Sequence, residues 1–371
     1  MAPLISYTNN SGLIDTHIHV LTPSFLKAMS VLGDSPGGWP IPVWTLEDCV
    51  RFCDTIGESF SVLSVTSPGP AVLGPTEEGR KLTRTLNDEV WELCSQAKGR
   101  FGFFASLPDF NDVEGTLQEI RHIFETEKKA NGVTILTSYG ERLIGDEHFR
   151  PIWELLDHYK ALVFVHPTTL TITPEKVGGY LPPPVIDFTH ASTRAAVSLV
   201  ISGILTACPN VDIILSHAGG TLPFVAQRAI GFLAEPVFQD QPRISVAEAK
   251  QAIGRFYYDL ALSTSTPQLK ALLEFAPSSN ILYGSDYPYA PKSIIYNELL
   301  RYSNFATSEE GKDIRPARLG ENAKALLQKH KSEHTVLPAT RDVESSKEPE
   351  FGLESNQVAE QARNQLAKLT S

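Results

Sequence analysis

Eight short apolar segments punctuate the chain, each rich in β-branched or aromatic residues and bounded by turn formers. They are GLIDTHIHVL (12–21), SFSVLSVTSPG (59–69), FGFFASLPD (101–109), GVTILTSYG (132–140), ALVFVHPTT (161–169), VDIILSHAGG (211–220), RFYYDLALS (255–263) and NILYGSDYP (280–288). Such runs predict β-strands. Most are near-continuous apolar runs, as expected of strands covered on both faces in a parallel sheet. Helical periods lie between them. TLEDCVRFCDTIG starts at Thr45, an N-cap residue with Asp48 three positions on. RKLTRTLNDEVWELCSQAKG spaces Leu82, Leu86, Val90 and Leu93 near helical intervals and stops at Gly99. VEGTLQEIRHIFETEKKANG, FRPIWELLDHYK, STRAAVSLVISGILTACP, SVAEAKQAIG, TPQLKALLEFAP and IIYNELLRYSNF continue the alternation. Eight strands with interleaved helices in about 320 residues predict an α/β fold, a (β/α)8 TIM barrel. An open doubly wound sheet is the competing arrangement, but no Gly-rich fingerprint follows the first strand.

Three segments are too long for simple connectors: residues 28–44, rich in Gly, Pro and Trp; residues 170–190, rich in Pro; and the shorter 233–243. The first two follow strands one and five. In a barrel they are long mouth loops, placed over the C-terminal rim where such loops build substrate pockets. After Leu327 the periodicity ends. The barrel is therefore assigned to residues 13–327, and 328–371 to a polar C-terminal extension in which QVAEQARNQLAKL is able to form a helix.

Composition narrows the partners. With 42% hydrophobic and 20% charged residues the chain is of ordinary soluble make-up. A net charge of −11 argues against nucleic acid or an anionic membrane as partner. It leaves room for a small anionic substrate, because a local metal ion can dominate the field inside a pocket. Cys49, Cys53, Cys94 and Cys208 read as reduced, mostly buried thiols, in keeping with a cytoplasmic location. MAPLISYTNNSG lacks a signal-peptide pattern, and no apolar run is long enough to span a bilayer.

The candidate chemistry sits at the ends of the strands. Alternation along DTHIHV points His17 and His19 to the same face. His166 closes the fifth run, His217 the sixth and Asp286 the eighth. In a barrel all these ends converge on one mouth. Each residue alone has an ordinary reading: His166 as a hydrogen-bonded core residue, Asp286 as the cap of its turn. Together, three or four imidazoles and a carboxylate suit a borderline divalent cation such as Zn2+, with a position left for water or substrate. His122, His148, His158, His190, His330 and His334 fall on helices, loops or the tail and read mostly as solvated, with His190 on a loop able to cover the mouth.

The order HxH on strand one, His on strands five and six, and Asp on strand eight resembles the metal-dependent amidohydrolase superfamily. NDEVWELC…GRFGFFASLP, HPTT, ILSHAGGTLPF and YGSDYPYAP are similar to the branch that holds aminocarboxymuconate-semialdehyde decarboxylase and the salicylate-type decarboxylases. GGWPIPVWTLEDC, VLSVTSPG, SYGERLIG and FRPIWELL are similar to its fungal 6-methylsalicylate group. The resemblance implies that His17, His19, His166 and Asp286 ligate the metal and that His217 lies near the reacting carbon. Some aromatic acid decarboxylases of this branch have Glu where this chain has His17, a departure that leaves the metal open between zinc, the first expectation, and manganese, the second. Binuclear members of the superfamily usually carry a lysine at the end of strand four. VTILTSYG has none, so a single ion is expected.

The implied activity is non-oxidative decarboxylation of an ortho-hydroxybenzoate, 6-methylsalicylate to m-cresol and CO2, with Asp286 or His217 delivering the proton. The substrate partner is then a small aromatic carboxylic acid. Trp39 and Trp44 are expected to wall the pocket, and Asn87, Tyr139, Arg142 and Arg194 are further candidates for carboxylate or hydroxyl contact. Analogy implies a homodimer. The competing functions are a metal-dependent hydrolase of the same superfamily, a pyrimidine-carboxylate decarboxylase, and a binding module that keeps the barrel without catalysis.

Overall fold

The eight apolar runs lie side by side as one parallel sheet in chain order, in a computed structural model that describes residues 12–30, 36–97, 99–170, 176–235, 237 and 244–339. The strands are β1 (Leu13–Val20), β2 (Glu58–Val65), β3 (Phe101–Ser106), β4 (Gly132–Leu136), β5 (Leu162–His166), β6 (Asp212–Leu215), β7 (Tyr257–Asp259) and β8 (Ile281–Leu282). A helix follows each strand: Leu46–Ile56, Glu77–Gln96, Val113–Arg121, Arg150–His158, Pro183–Ile201, Leu222–Phe232, Thr266–Phe275 and Lys292–Ala306. The result is a (β/α)8 barrel. Thr45 caps its helix as its sequence position predicts, accepting the Asp48 amide at 3.0 Å. The four cysteines are free and buried. Among the described residues no helix is long and apolar enough to cross a membrane.

The barrel closes where β1 meets the chain around and after β8. Thr16 N donates to Tyr283 O at 3.0 Å, Asp286 N to His17 O at 2.8 Å, and His19 N to Tyr287 O at 2.7 Å. β8 itself is shorter than its sequence run predicts. From Gly284 on, the chain leaves the regular ladder and turns into the mouth, and Asp286 takes a left-handed φ of 61°.

Side chains alternate strictly between two cores. Phe60 and Val62, Phe104, Leu162 and Phe164, Ile214 and Leu282 fill the barrel interior. Their sequence neighbours Leu63, Phe103, Val163, Val165, Ile213 and Leu215 pack outward under the helices. On β1 the parity changes: Ile14 is interior, yet Ile18 is exterior. A bulge causes the switch. Asp15 pairs with Ser61 and Ile18 with Leu63, so β1 holds one extra residue between these pairs. Ile14 can therefore plug the barrel while His17 and His19 face its mouth.

The C-terminal boundary lies beyond the expected one. Helix Pro316–Lys329 continues past Leu327 and sets Ala323, Leu326 and Leu327 against the barrel interior from below. Residues 330–337 then cross the same end. Val336 and Leu337 pack on the interior cluster, His334 N donates to Lys128 O, and the Asn131 amide donates to Val336 O. His330 is not solvated: its Nε2 lies 2.7 Å from the Asp212 carboxylate, beside Lys329. The polar letters of this segment hid its few apolar anchors. The helical stretch expected at 357–369 lies outside the described residues. Truncating both anchors (Val336→Ala with Leu337→Ala) removes cover from the lower core and is expected to cost about 2 kcal/mol of stability. Chemical denaturation measures it, and an unchanged midpoint would show that the segment seals nothing.

Candidate active site

Barrel parity and the seam assemble the mouth site. Leu162, Phe164 and His166 share one face of β5, so the same alternation that buries two apolar side chains puts His166 at the rim. The bulge on β1 adds His17 and His19. The seam adds Asp286, whose backbone amide is bonded to the carbonyl of His17. Gly284 makes the approach possible. A Cβ there would sit 2.8 Å from the Cβ of His17 and 3.2 Å from the Asp259 side chain.

The four side chains converge. His17 Nε2 and His19 Nε2 are 3.2 Å apart. Asp286 Oδ1 lies 3.1 Å from His19 Nε2 and 3.5 Å from His17 Nε2. His166 has its ring centroid 4.8 Å from that of His19 and 5.4 Å from that of His17. One donor atom from each of the four falls within 4.8 Å of the others. The far ring nitrogens are all engaged: His17 Nδ1 with Asp259 Oδ2 at 3.0 Å, His19 Nδ1 with Ser64 O at 3.3 Å, His166 Nδ1 with Pro167 O at 2.7 Å. Each bond to an acceptor keeps the proton on Nδ1 and leaves Nε2 as the lone pair facing inward. Phe164 closes the floor, its ring 5.0 Å from His17.

Charge makes the same point. The three imidazoles are buried to within 3% of full cover. Burial alone pushes His17 toward neutrality, but Asp259 and Asp286 outweigh it and lift its pKa to about 10. Burial holds His19 below its ordinary value, and burial together with the neighbouring imidazoles holds His166 well below. Asp286 is drawn well below the carboxylate range, because His17 and His19 outweigh its burial. The same carboxylates that draw a proton onto His17 would favour a metal cation in its place. The inward nitrogens of three imidazoles and an oxygen of Asp286 around one point fit a divalent cation held by His17, His19, His166 and Asp286. A second grouping, His17, His217 and Asp259, shares His17 but faces the side where Asp259 already holds it.

His217 stands next to this cluster, its ring centroid 4.9 Å from that of His17. Its Nδ1 meets Ala261 O at 3.0 Å and its backbone amide donates to Asp259 Oδ1 at 3.1 Å. His217 and Ala218 both adopt left-handed φ values of 55°, a strained pair that the glycines after them accommodate. At Gly220 a Cβ would overlap the carbonyl of Thr189, so the HAGG run is what lets helix Pro183–Ile201 pack onto this turn.

A cavity of about 370 Å3 opens above the cluster. His166, His217 and Asp286 form its polar end, and Met29, Trp39, Val185, Phe188, Leu262 and Ile294 much of its apolar wall. No lysine or arginine is among the described residues that line it. Helix Pro183–Ile201 starts nine residues before its expected position, with prolines in its first turn where their missing amides cost nothing. Its first turns, expected to be loop, form one wall. His190 turns outward and is half exposed.

Of the suggested substrate contacts, Trp39 lines the cavity, its Nε1 donating to Tyr289 O at 3.0 Å. The structure sets the others apart from it. Trp44 packs on the outer core. Asn87 is buried against the Ser106 backbone and the Glu119 carboxylate. Tyr139 is buried on Phe110, and its hydroxyl accepts from Leu136 N. Arg142 is exposed and bonded to Asn111, and Arg194 is exposed on its helix. A polar letter near a strand end does not say which way it points. Asp259 was missed in the sequence reading. Its signal was present in FYYDLAL, a carboxylate closing the seventh apolar run as His166 and His217 close theirs.

A closed parallel barrel with an imidazole–carboxylate cluster at its C-terminal mouth defines a mouth-sited enzyme of the (β/α)8 class. A family model for amidohydrolases matches residues 14–329, and the chain belongs to that family. It is 38% identical over 299 residues to a 6-methylsalicylic acid decarboxylase of Penicillium expansum, covering 80% of this chain and 90% of the relative. It superposes on the crystal structure of an amidohydrolase II with a TM-score of 0.75 at 28% identity, over 85% of this chain and 99% of the other. A dihydroxybenzoic acid decarboxylase of Polaromonas sp. JS666, solved with manganese and 2-nitroresorcinol, has the same fold at a TM-score of 0.70 and 19% identity, over 86% and 97%. By class the chain is a carboxy-lyase.

Gly284→Ala is expected to press His17 and Asp259 aside and weaken divalent-cation binding about tenfold. Gly231→Ala, on helix Leu222–Phe232 with no atom within 4 Å of the added Cβ, should leave binding alone. Zn2+ titration against a chelating dye compares the two. Equal affinities would show that Gly284 is not what lets the cluster close.

Proposed function

We propose that the chain is a metal-dependent decarboxylase that converts 6-methylsalicylate, an ortho-hydroxybenzoate, to m-cresol and CO2. One observation carries the reading: four converging donors open onto a cavity that is otherwise mainly apolar and has no cationic side chain among its described lining residues. The relative from Penicillium expansum, which acts on the same acid by name, supports it. His17, His19, His166 and Asp286 would hold the cation. Three imidazoles and one carboxylate favour zinc, while the Polaromonas decarboxylase makes manganese the second candidate. When bound, the ion would supply a Lewis acid that draws off phenolate charge.

The chain's own groups do the rest. Direct loss of CO2 would leave an aryl carbanion. Protonation of the ring carbon that bears the carboxylate avoids it. A new C–H bond forms there; the C–C bond to the carboxylate then breaks, and its electron pair restores the aromatic ring as CO2 leaves. His217 is the proton carrier. It lines the cavity, and with its Nδ1 proton committed to Ala261 O, Nε2 is the position that takes up and gives the exchanged proton. Burial and the nearby His17 hold its pKa below the ordinary value, so a proton placed on it is readily passed on. Asp286 has its Oδ1 3.1 Å from His19 Nε2, among the atoms that would hold the cation, and so is committed to that position. Met29, Val185, Phe188, Leu262 and Ile294 suit a methylated benzene ring.

Incubation with 6-methylsalicylate is expected to release CO2 and m-cresol, and chelator-treated enzyme to lose this activity until Zn2+ or Mn2+ is restored. Hydrolysis of esters, lactones or amides with no CO2 from the salicylate would overturn the reading. His217→Gln is expected to keep its cation and lower kcat by roughly 10²–10⁴. Loss of the cation in that variant would instead make His217 a ligand.

A further inference from the structure

We propose that Asp259 is the positioning residue of the site: it fixes the tautomer of His17, ties that ligand to the turn carrying His217, and so sets the affinity for the divalent cation. The inference rests on the cation-site reading above and concerns a residue that does not touch the cation position. The Asp259 side chain is wholly buried, and its two oxygens are divided between two tasks. Oδ2 accepts from His17 Nδ1 at 3.0 Å. Oδ1 accepts from the backbone amides of His217 at 3.1 Å and Ala261 at 2.9 Å. Both oxygens of this carboxyl group are thus occupied as acceptors, from three N–H donors in all.

The consequence is a forced arrangement at His17. With the ring proton on Nδ1, Nε2 is free to bind a cation. The same carboxylate pins the backbone on either side of the mouth. His217 and Ala218 at φ 55° and Leu262 at φ 51° are left-handed, and such residues persist only where their surroundings over-determine them. Asp259 supplies part of that constraint through the His217 and Ala261 amides. It also supplies the second negative charge that, with Asp286, balances a divalent ion.

Asn in its place is nearly isosteric and cannot do this. If the amide nitrogen faces His17, the imidazole must accept at Nδ1 and carry its proton on Nε2, where it blocks the cation. If the amide nitrogen faces the backbone, it opposes two N–H donors. Asp259→Asn is therefore expected to weaken Zn2+ binding about 10–100-fold, read by dye competition on the full chain without substrate. It should also lower kcat more than it raises KM. Unchanged Zn2+ affinity, even with a lower melting temperature, would overturn the proposal and leave Asp259 a merely structural residue. Should the variant not fold, ¹⁵N-histidine NMR of the Zn2+-loaded native protein decides. A proton on Nδ1 of His17 supports the proposal, and one on Nε2 overturns it. If the native protein binds neither Zn2+ nor Mn2+, the cation-site reading itself fails, an outcome distinct from both.

Discussion

The site depends on how the barrel closes. The backbone bonds that join β1 to the chain after β8 run through His17, His19 and Asp286 themselves. Closing the sheet and gathering the ligands are therefore one event. A barrel that failed to close would keep its helices and most of its outer core, but would separate the HxH pair from its carboxylate. The bulge on β1 serves the same end. It reverses side-chain parity between Ile14 and His17, so one strand feeds an apolar plug below and a polar cluster above. With strict alternation from Ile14, the imidazoles would lie under the helices.

Burying so many titratable groups is costly, and the structure offsets the cost locally. Every imidazole of the cluster gives its outer nitrogen to an oxygen, so only the inward nitrogens and Asp286 depend on what they enclose. Beneath them lies a second carboxyl pair, Asp15 and Glu58. Burial pushes Asp15 up to about 6 and, with Asp15 beside it, Glu58 well above its ordinary value. That pair can share protons without adding full negative charge below the site, while Asp15 accepts the amides of His17 and Ser285. Asp286, with His17 and His19 for neighbours, is drawn down, whereas burial draws Asp15 and Glu58 up.

Much of this was legible in the chain. Apolar runs with polar residues at their ends marked both strands and rim, because in a barrel a strand end has only one place to go. His166 stood out only as the polar residue closing the fifth apolar run, one of several such ends. What the sequence did not disclose were facts of direction and of distant contact. Trp39 and Trp44 lie five residues apart, yet one faces the cavity and the other the outer core. Asn87 and Tyr139 are polar letters spent on neighbouring backbone. Asp259 went unread because its partner His17 is 242 positions away. The segment from His330 to Leu337 looks solvated by composition, but a few apolar side chains and one bond to Asp212 suffice to lay it across the barrel floor.

That no lysine or arginine is among the described residues lining the cavity bears on turnover as well as on binding. On the proposed reaction the substrate's charge can be held only at the cluster end, so the carboxylate is drawn to the floor and the methylated ring is left to the apolar wall. Orientation then follows from charge, with no arginine among the described lining residues to grip the ring from the side. The reaction removes the charge that gave this grip. A neutral phenol and CO2 retain little that the floor prefers over water, so the binding that orients the substrate does not extend to the products. A hydrolase working at the same floor would release a carboxylate and keep that attraction. A site whose anion-holding groups gather at one end is thus better matched to chemistry that destroys an anion than to chemistry that creates one.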